Sequence, residues 1–192
     1  MVPATPRTKL SYLAFLASLV LALPASSCSS AQNALTQEVS SSYKDVDHRF
    51  SISFPKSWTI KKGTAPDTVV KAVHNDSEGR MVVISIAATK LRESPDICKM
   101  NPSELFARGK SAYPGLDMVL LDSGTVFIND KCAVWLKIDT RQPTLASSLG
   151  KKFFLIHNSI LFTVDAIADR DPSYYARFEA TLEESVHTLK FY

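Results

Sequence analysis

Short apolar runs joined by tight turns dominate this chain of 192 residues, and they restrict the folds it can adopt. Two such runs, 151–157 and 160–168, flank Asn158-Ser159, a spacing typical of a two-residue β-hairpin. A second hairpin is predicted around the polar run 75–79. Hairpins join antiparallel neighbours, whereas parallel strands need long crossover connections. The sequence therefore predicts a mainly antiparallel sheet.

Two helices are predicted, one near the middle of the chain and one at its end. Asn101 is a suitable N-cap and Pro102 suits the first helical position, so a short helix begins there and ends by Pro114. Asp171 caps the final helix, whose apolar residues recur at helical spacing. These residues are Tyr175, Phe178, Leu182, Val186 and Leu189.

The order of the elements indicates the fold class. Further strands are predicted at 50–54, 118–122, 124–128 and 132–139, and a loop at 140–149. Because the strands do not alternate regularly with helices, we expect an α+β fold. Its expected form is an α/β/α sandwich, in which helices flank a central, mainly antiparallel β-sheet of about six to seven strands.

One motif resembles a known family. Phe50 and Phe54 with Pro55 and Trp58 are similar to the opening strand and Pro-x-x-Trp corner of PsbP-like domains, and segment 175–191 is similar to their closing helix. That superfamily includes a photosystem II extrinsic subunit, a Ran-binding nuclear transport factor and many exported bacterial proteins. The resemblance implies a central antiparallel sheet between helices, and binding or assembly roles rather than catalysis.

Folding alone also explains the motif. Pro55 cannot donate a hydrogen bond to a sheet, so it ends the strand. Trp58 would close one end of the core, with an indole N–H that needs one acceptor. No ligand-binding residue of the family can be matched in this chain, so none is assigned.

The N-terminal segment 1–27 predicts export. Arg7 and Lys9 are its only charged residues, and the apolar run 10–23 follows them. A basic start, an apolar stretch and small residues together are typical of an export signal. As a helix, this run would span roughly 21 Å, which is short of the ~30 Å hydrocarbon core.

Residues 25–28 resemble the lipobox of bacterial lipoproteins, in which small residues precede a lipidated cysteine. Ala25 stands where that family usually has leucine, and Cys28 would carry the lipid. We expect a lipid-anchored protein of the bacterial cell envelope. The alternatives are cleavage after Ala31, which would give a soluble periplasmic or secreted protein, and an uncleaved anchor.

A flexible tether is predicted at 28–42, because this segment has few large apolar residues with which to offset its ordering entropy. The remaining segment, 43–192, is long enough for one domain with one core. Removal of residues 1–27 takes two of the 22 basic residues and none of the 19 acidic ones. The nearly balanced charge that remains argues against binding to nucleic acid.

The number of cysteines is consistent with an exported protein. If Cys28 is lipidated or removed, Cys98 and Cys132 remain as an even pair in an oxidising compartment. We predict a disulfide between them. The alternative is two separate buried thiols, because the sequence cannot place them within bridging distance.

No catalytic, cofactor or metal motif is recognised. The histidines, which lack ligand spacing, are His48, His74, His157 and His187. Asp165, Asp169, Arg170 and Asp171 form a charged cluster without the spacing of a calcium-binding loop. A helix cap and a surface ion pair explain this cluster more simply.

These observations favour a non-catalytic, membrane-tethered envelope protein that acts as a protein-binding or assembly module. Its partner would be an unidentified envelope protein, and it would meet the membrane through its N-terminal lipid. The candidate surface is loop 140–150 with the adjacent pair Lys151-Lys152. The alternative is a small-ligand binder or hydrolase with a pocket between the sheet and a helix.

Overall fold

The computed structural model describes residues 39–65, 67–141 and 147–192. The strands in this part of the chain are β1 (Val39–Asp45), β2 (Phe50–Pro55), β3 (Thr59–Lys62), β4 (Thr68–Asn75), β5 (Met81–Lys90), β6 (Asp117–Ile128), β7 (Lys131–Arg141), β8 (Ser148–His157), β9 (Ile160–Asp169) and β10 (Lys190–Phe191). The helices are α1 (Pro102–Ala112), α2 (Pro172–His187) and a 3-10 helix at Ile97–Lys99.

The strands form two antiparallel sheets. The larger sheet has seven strands in the order β3-β4-β5-β9-β8-β7-β6, and the smaller has the order β1-β2-β10. Both hairpins expected from the sequence are present, since β4 pairs with β5 and β8 pairs with β9. The predicted α+β class and the antiparallel sheet of about seven strands are confirmed.

Helices cover the larger sheet on both faces. Successive side chains of a strand point to opposite faces, so each strand supplies two sets of apolar residues. On one face, α2 packs against β8 and β9, and β2 packs beside it. On the other face, α1 and the 3-10 helix cover parts of β6, β7 and β8. The result is the expected α/β/α sandwich, with the small sheet placed beside α2.

Both helix N-termini are capped as the sequence predicts. The Asn101 side-chain oxygen accepts a hydrogen bond from the Ser103 N–H at 2.9 Å. Asp171 accepts from the N–H groups of Ser173 and Tyr174, at 2.8 and 3.2 Å. Neither helix of the described residues is long and apolar enough to cross a membrane.

The domain begins earlier than the composition indicates. Strand β1 starts at Val39, so residues 39–42, predicted to be tether, belong to a strand that pairs with β2. The prediction erred because β1 is an outer strand, where backbone pairing does not require large apolar side chains. The export signal, Cys28 and the rest of the tether lie outside the described residues.

The structure also corrects the strands predicted between residues 118 and 128. The two strands predicted at 118–122 and 124–128 are one strand, and its register with β7 shifts between Leu120 and Asp122. A β-bulge holds one extra residue without ending a strand, and Leu121 is that residue. The predicted loop is also shorter, since β7 extends to Arg141 and β8 starts at Ser148.

A disulfide joins Cys98 in the 3-10 helix to Cys132 in β7, and their Cα atoms lie 6.1 Å apart. The bond fastens the 3-10 helix to the sheet. Closing a loop of this length stabilises a fold by about 4 kcal/mol in the chain-entropy account. The even pair of cysteines therefore predicted the correct partners.

The PsbP-like motif builds a corner at one end of the core. Phe50 and Phe54 are fully buried, and Pro55 ends β2. The backbone N–H of Trp58 donates to the Pro55 carbonyl at 3.0 Å, which closes the turn. The sequence led us to expect an acceptor for the buried Trp58 indole N–H. Among the described residues it has none.

Candidate functional site

An open groove of about 500 Å³ lies where three turns and β10 meet at one end of the sheets. The β1–β2, β6–β7 and β8–β9 turns each contribute side chains. The residues that line it are Arg49, Asn129, Asp130, Lys131, His157, Asn158, Lys190, Phe191 and Tyr192.

Turn geometry fixes the walls of the groove. Asn129 and Asp130 have φ values of 44° and 66°, and Asn158 and Ser159 have 50° and 59°. Consecutive residues with positive φ are typical of the tight hairpin turns that match the twist of a sheet. Arg49 also has a positive φ, of 55°, which is uncommon for a residue with a long side chain.

One side chain fastens the groove to helix α2. The Asn129 side-chain amide donates to the His187 carbonyl at 3.1 Å and to the Leu189 carbonyl at 2.7 Å. Carbonyls at a helix C-terminus have no partner within the helix, so these bonds satisfy them. The end of α2 and the β6–β7 turn are thereby held together.

Two cations in the groove are not neutralised. Arg49 and Lys190, which we call the groove cations, have no carboxylate within ion-pairing distance among the described residues. Lys131 differs, because its amine lies 3.0 Å from the Asp130 carboxylate. The electrostatic character of the groove is therefore positive.

Aromatic rings form the apolar part of the groove. The Phe191 ring lies 4.7 Å from that of His157 and 4.8 Å from that of the core residue Phe162, measured between centroids. The Tyr192 hydroxyl donates to the Asp45 carbonyl at 2.7 Å. Burial lowers the pKa of His157 below its ordinary value, and Lys131 lowers it further. His157 is therefore neutral at neutral pH.

Exposed apolar side chains lie at the same end of the sheets as the groove. Val46 lies in the β1–β2 turn and is 73% exposed, and Phe127, beside the β6–β7 turn, is 70% exposed on the α1 face of the sheet. Tyr192 is 48% exposed. We call the groove together with Val46 and Phe127 the groove end of the molecule. Mixed apolar and cationic surface of this kind is typical of a binding site.

The groove end lies opposite Val39, the first described residue of β1. In the small sheet, Val39 pairs with Pro55, whereas Asp45 pairs with Phe50 next to Arg49. A strand of seven residues spans about 20 Å. Val39 and the groove are therefore at opposite ends of β1.

The pair Lys151-Lys152 of the predicted surface is engaged within the fold. These successive residues of β8 point to opposite faces of the sheet. Lys151 pairs with Glu179 and Glu183 of α2, and Lys152 is only 7% exposed. Both lysines are neutralised within the fold. Residues 142–146 of the predicted surface loop lie outside the described residues.

A third lysine completes this set. Lys137 lies 2.8 Å from the Glu179 carboxylate, and its amine lies 5.0 Å from the centre of the Tyr175 ring. Lys151 similarly lies 4.8 Å from the Trp135 ring, and Lys152 pairs with Asp165. We call these residues the sheet lysines: Lys137, Lys151 and Lys152.

The predicted charged cluster near the end of β9 is divided among separate partners. Arg170 binds Asp139 through two hydrogen bonds of 2.6 and 3.0 Å, and this guanidinium holds the pKa of Asp139 below its usual value. Asp169 accepts from a backbone N–H of β5, and Asp171 caps α2. The carboxylates do not converge on one point.

The four histidines also have separate surroundings. His48 pairs with Asp45, and His74 lies between the rings of Trp58 and Phe178. No group of three or more histidine, cysteine, aspartate or glutamate side chains that could hold a metal ion occurs in the described part of the chain.

Sequence reasoning missed the groove because its residues come from four separate segments. The only available signal was the pair of two-residue turns, Asn129-Asp130 and Asn158-Ser159. Both follow strands of the same sheet, so they can lie at the same edge. The contribution of β10 could not be seen, because a strand of two residues has no periodicity.

The fold has a counterpart among solved structures. No protein-family model and no curated protein sequence matches the chain. The solution structure of cyanobacterial PsbP (CyanoP) from Synechocystis sp. PCC 6803 is similar to 85% of this chain over 98% of its own length, with a TM-score of 0.62 and 12% sequence identity.

Two other solved structures are more distant. A crystal structure from Bacteroides thetaiotaomicron has a TM-score of 0.43 at 13% identity, over 80% of this chain and 48% of that one. PA94 from Pseudomonas aeruginosa, described as a protein of unknown function and putative regulator, has a TM-score of 0.42 at 13% identity, over 77% and 94%. The similarity to CyanoP, together with the corner at Pro55 and Trp58, identifies the fold of this chain as PsbP-like.

Proposed function

We propose that this chain is a non-catalytic binding module of the bacterial cell envelope, tethered through a lipid on Cys28, and that it docks a partner protein through the groove end. The observation that carries the proposal is the concave, cationic and partly apolar surface at the end of β1 remote from the N-terminal segment. Aromatic and arginine side chains are the residues that most often dominate binding energy at interfaces.

The chemistry of the groove supports binding rather than catalysis. His157 Nε2 lies 3.0 Å from the Asn158 amide, and its ring contacts Phe191. The carboxylate that lines the groove, Asp130, is paired with Lys131. A general base needs a partner that orients it and a reacting group within reach. The contacts of His157 are with the Asn158 amide, which can orient the imidazole, and with an aromatic ring, and neither contact is a reacting group.

The geometry of the chain supports docking away from the membrane. If the predicted tether 28–38 is a flexible coil, it would place β1 about 18 Å from the lipid as a root-mean-square distance. Strand β1 adds about 20 Å before the groove end. A partner protein in the envelope could therefore approach the groove end without competing with the anchoring membrane.

Anchoring is tested by replacing Cys28 with serine in the full chain. We expect the wild type in the membrane fraction and the Cys28→Ser variant in the soluble fraction or retained as uncleaved precursor. Mass spectrometry of the wild-type N-terminus should show a lipid-modified cysteine. A mature protein that begins with unmodified Gln32 would refute the tether.

Docking is tested by site-specific photo-crosslinking in cells. A photo-reactive phenylalanine analogue replaces Tyr192, which lines the groove, or, as the matched control, Lys56, which is exposed beyond β2 at the opposite end. We expect one reproducible protein adduct from position 192 and none from position 56. The same adducts from both positions, or none from position 192, would refute docking at the groove end.

A further inference from the structure

We infer that the groove binds the carboxylates of an acidic segment in the partner protein, with Arg49 and Lys190 as the groups that recognise them. This inference rests on the proposed function and specifies the chemistry of its partner.

The groove cations lie together on one concave surface. Lys137, Lys151 and Arg170 each have a carboxylate within 3.6 Å, so the fold readily supplies counter-charges where cations have a structural role. Arg49 and Lys190 have none within ion-pairing distance in the described part of the chain, although both line a concave surface. A ligand with carboxylates would neutralise these two cations by forming ion pairs with them.

Arg49 and Lys190 would bind a carboxylate in different ways. The Arg49 guanidinium can bind a carboxylate through two parallel hydrogen bonds, whereas the Lys190 amine acts as a point charge. Arg49 is held by a turn with positive φ, and Lys190 by pairing with Ser51 of β2. Their backbones are therefore fixed before a ligand arrives, which reduces the entropy lost on binding.

The apolar rings favour a peptide over a free anion. Phe191 and Tyr192 line the groove beside the cations, and Tyr192 is 48% exposed. A free inorganic anion would gain nothing from these rings, whereas an acidic segment with aromatic or aliphatic residues would cover them. A volume of about 500 Å³ is within the range of small-ligand pockets and fits a few residues of a peptide.

The position of the groove favours a protein over a lipid surface. The groove lies at the end of β1 opposite Val39, where the N-terminal segment enters. A membrane that held the chain by this segment would therefore meet the other end of the domain first. The occupant to which the observations point is an acidic protein segment.

Binding is measured by the fluorescence anisotropy of a dye-labelled peptide, Asp-Phe-Glu-Asp-Phe-Glu, added to the full chain in a non-ionic detergent. We expect saturable binding that weakens as salt rises, because screening reduces attraction between exposed charges. The variant Arg49→Gln with Lys190→Gln should weaken binding by about tenfold. The matched control, Lys56→Gln with Lys61→Gln, removes two exposed cations outside the groove lining and should leave binding within about twofold.

Several results would overturn the inference. One is equal binding by the groove variant and the wild type, with thermal unfolding showing that both are folded. Another is equal binding of a peptide in which lysine replaces the acidic residues. Displacement of the peptide by inorganic phosphate, but not by chloride at the same ionic strength, would assign the groove to small anions. Binding to phosphatidylglycerol vesicles that the groove variant loses would assign it to lipid.

The crosslinking experiment separates this inference from the proposed function. If position 192 captures the same partner equally well in the wild type and the groove variant, the partner docks but the carboxylate site is refuted. If the acidic peptide binds as expected and position 192 captures nothing, the carboxylate site stands and the docking function is refuted.

Discussion

The sheet lysines and the groove cations have opposite surroundings. Lys151 and Lys152 lie within the fold, paired with carboxylates of α2 and β9. Arg49 and Lys190 line a concave surface and have no such partner among the described residues. In the sequence, the adjacent lysines are the more conspicuous pair. Neighbours along a strand point to opposite faces, so adjacency in sequence did not indicate a shared surface.

The difference shows which cations the fold requires. A charge removed from water needs a partner, and Lys137, Lys151 and Lys152 each have one. A cation left without a partner in an accessible groove costs little, because water solvates it. Stability measurements should therefore respond to the partners of the sheet lysines, and binding measurements to the groove cations.

The largest expected effect comes from the Lys152–Asp165 pair. Both side chains are mostly buried, at 8% and 14% exposure. Replacing Asp165 with asparagine removes the counter-charge of a covered amine and should reduce the free energy of unfolding by about 3 kcal/mol. Urea unfolding measures this change. The control Asp47→Asn, on an exposed turn, should alter stability by less than about 0.5 kcal/mol, and equal effects would contradict the comparison.

A smaller effect is expected at Lys151. Its side chain is 16% exposed, pairs with two glutamates and lies over the Trp135 ring. The variant Lys151→Gln keeps much of the side-chain length but loses the charge, and should cost about 1 kcal/mol of unfolding free energy. No loss in urea unfolding would show that this lysine is not a structural cation.

Two histidines, His157 in the groove and His74 beside Trp58, should make the free energy of unfolding depend on pH. Burial lowers the pKa values of both His157 and His74 in the folded protein. The unfolded chain therefore binds protons first, and stability should fall as pH drops below about 6.5, the ordinary value for histidine. The free energy of unfolding, measured with urea at several pH values between 5 and 7, should change less with pH in His74→Phe and in His157→Gln than in the wild type. The same change with pH in both variants as in the wild type would refute this account.

The smallest effect on stability is expected for the groove cations. The variant Arg49→Gln with Lys190→Gln removes no ion pair of the described residues, so its free energy of unfolding should stay within about 0.5 kcal/mol of the wild type. Thermal and urea unfolding both measure this. A loss of 1 kcal/mol or more would place Arg49 and Lys190 with the sheet lysines as structural groups.

Local signals in the sequence predicted most of the fold. The hairpins at 75–79 and Asn158-Ser159, the caps of both helices and the disulfide depend on neighbouring residues or on a count of cysteines, and all are present. The start of β1 and the continuity of β6 were missed because outer strands and bulges depend on backbone pairing more than on side-chain pattern.

The candidate site was less predictable than the fold. The groove exists only when three turns and the short strand β10 come together, and no spacing within the sequence relates Arg49 to Lys190. The corner at Pro55 and Trp58 was predictable because it is local. The export signal and the lipid on Cys28 lie outside the described residues and stay predictions.

The bulge at Leu121 has a consequence for how the protein behaves at high concentration. Strand β6 is one of the two edge strands of the larger sheet, and its Val119, Leu121 and Phe127 side chains are exposed. No other strand of the described residues pairs with its outer side, and a regular edge of twelve residues with apolar side chains would be a template for sheet growth between molecules. The displaced residue breaks the edge into two short halves of different register, so an incoming strand can match only one of them. This irregularity protects the domain against edge-to-edge aggregation.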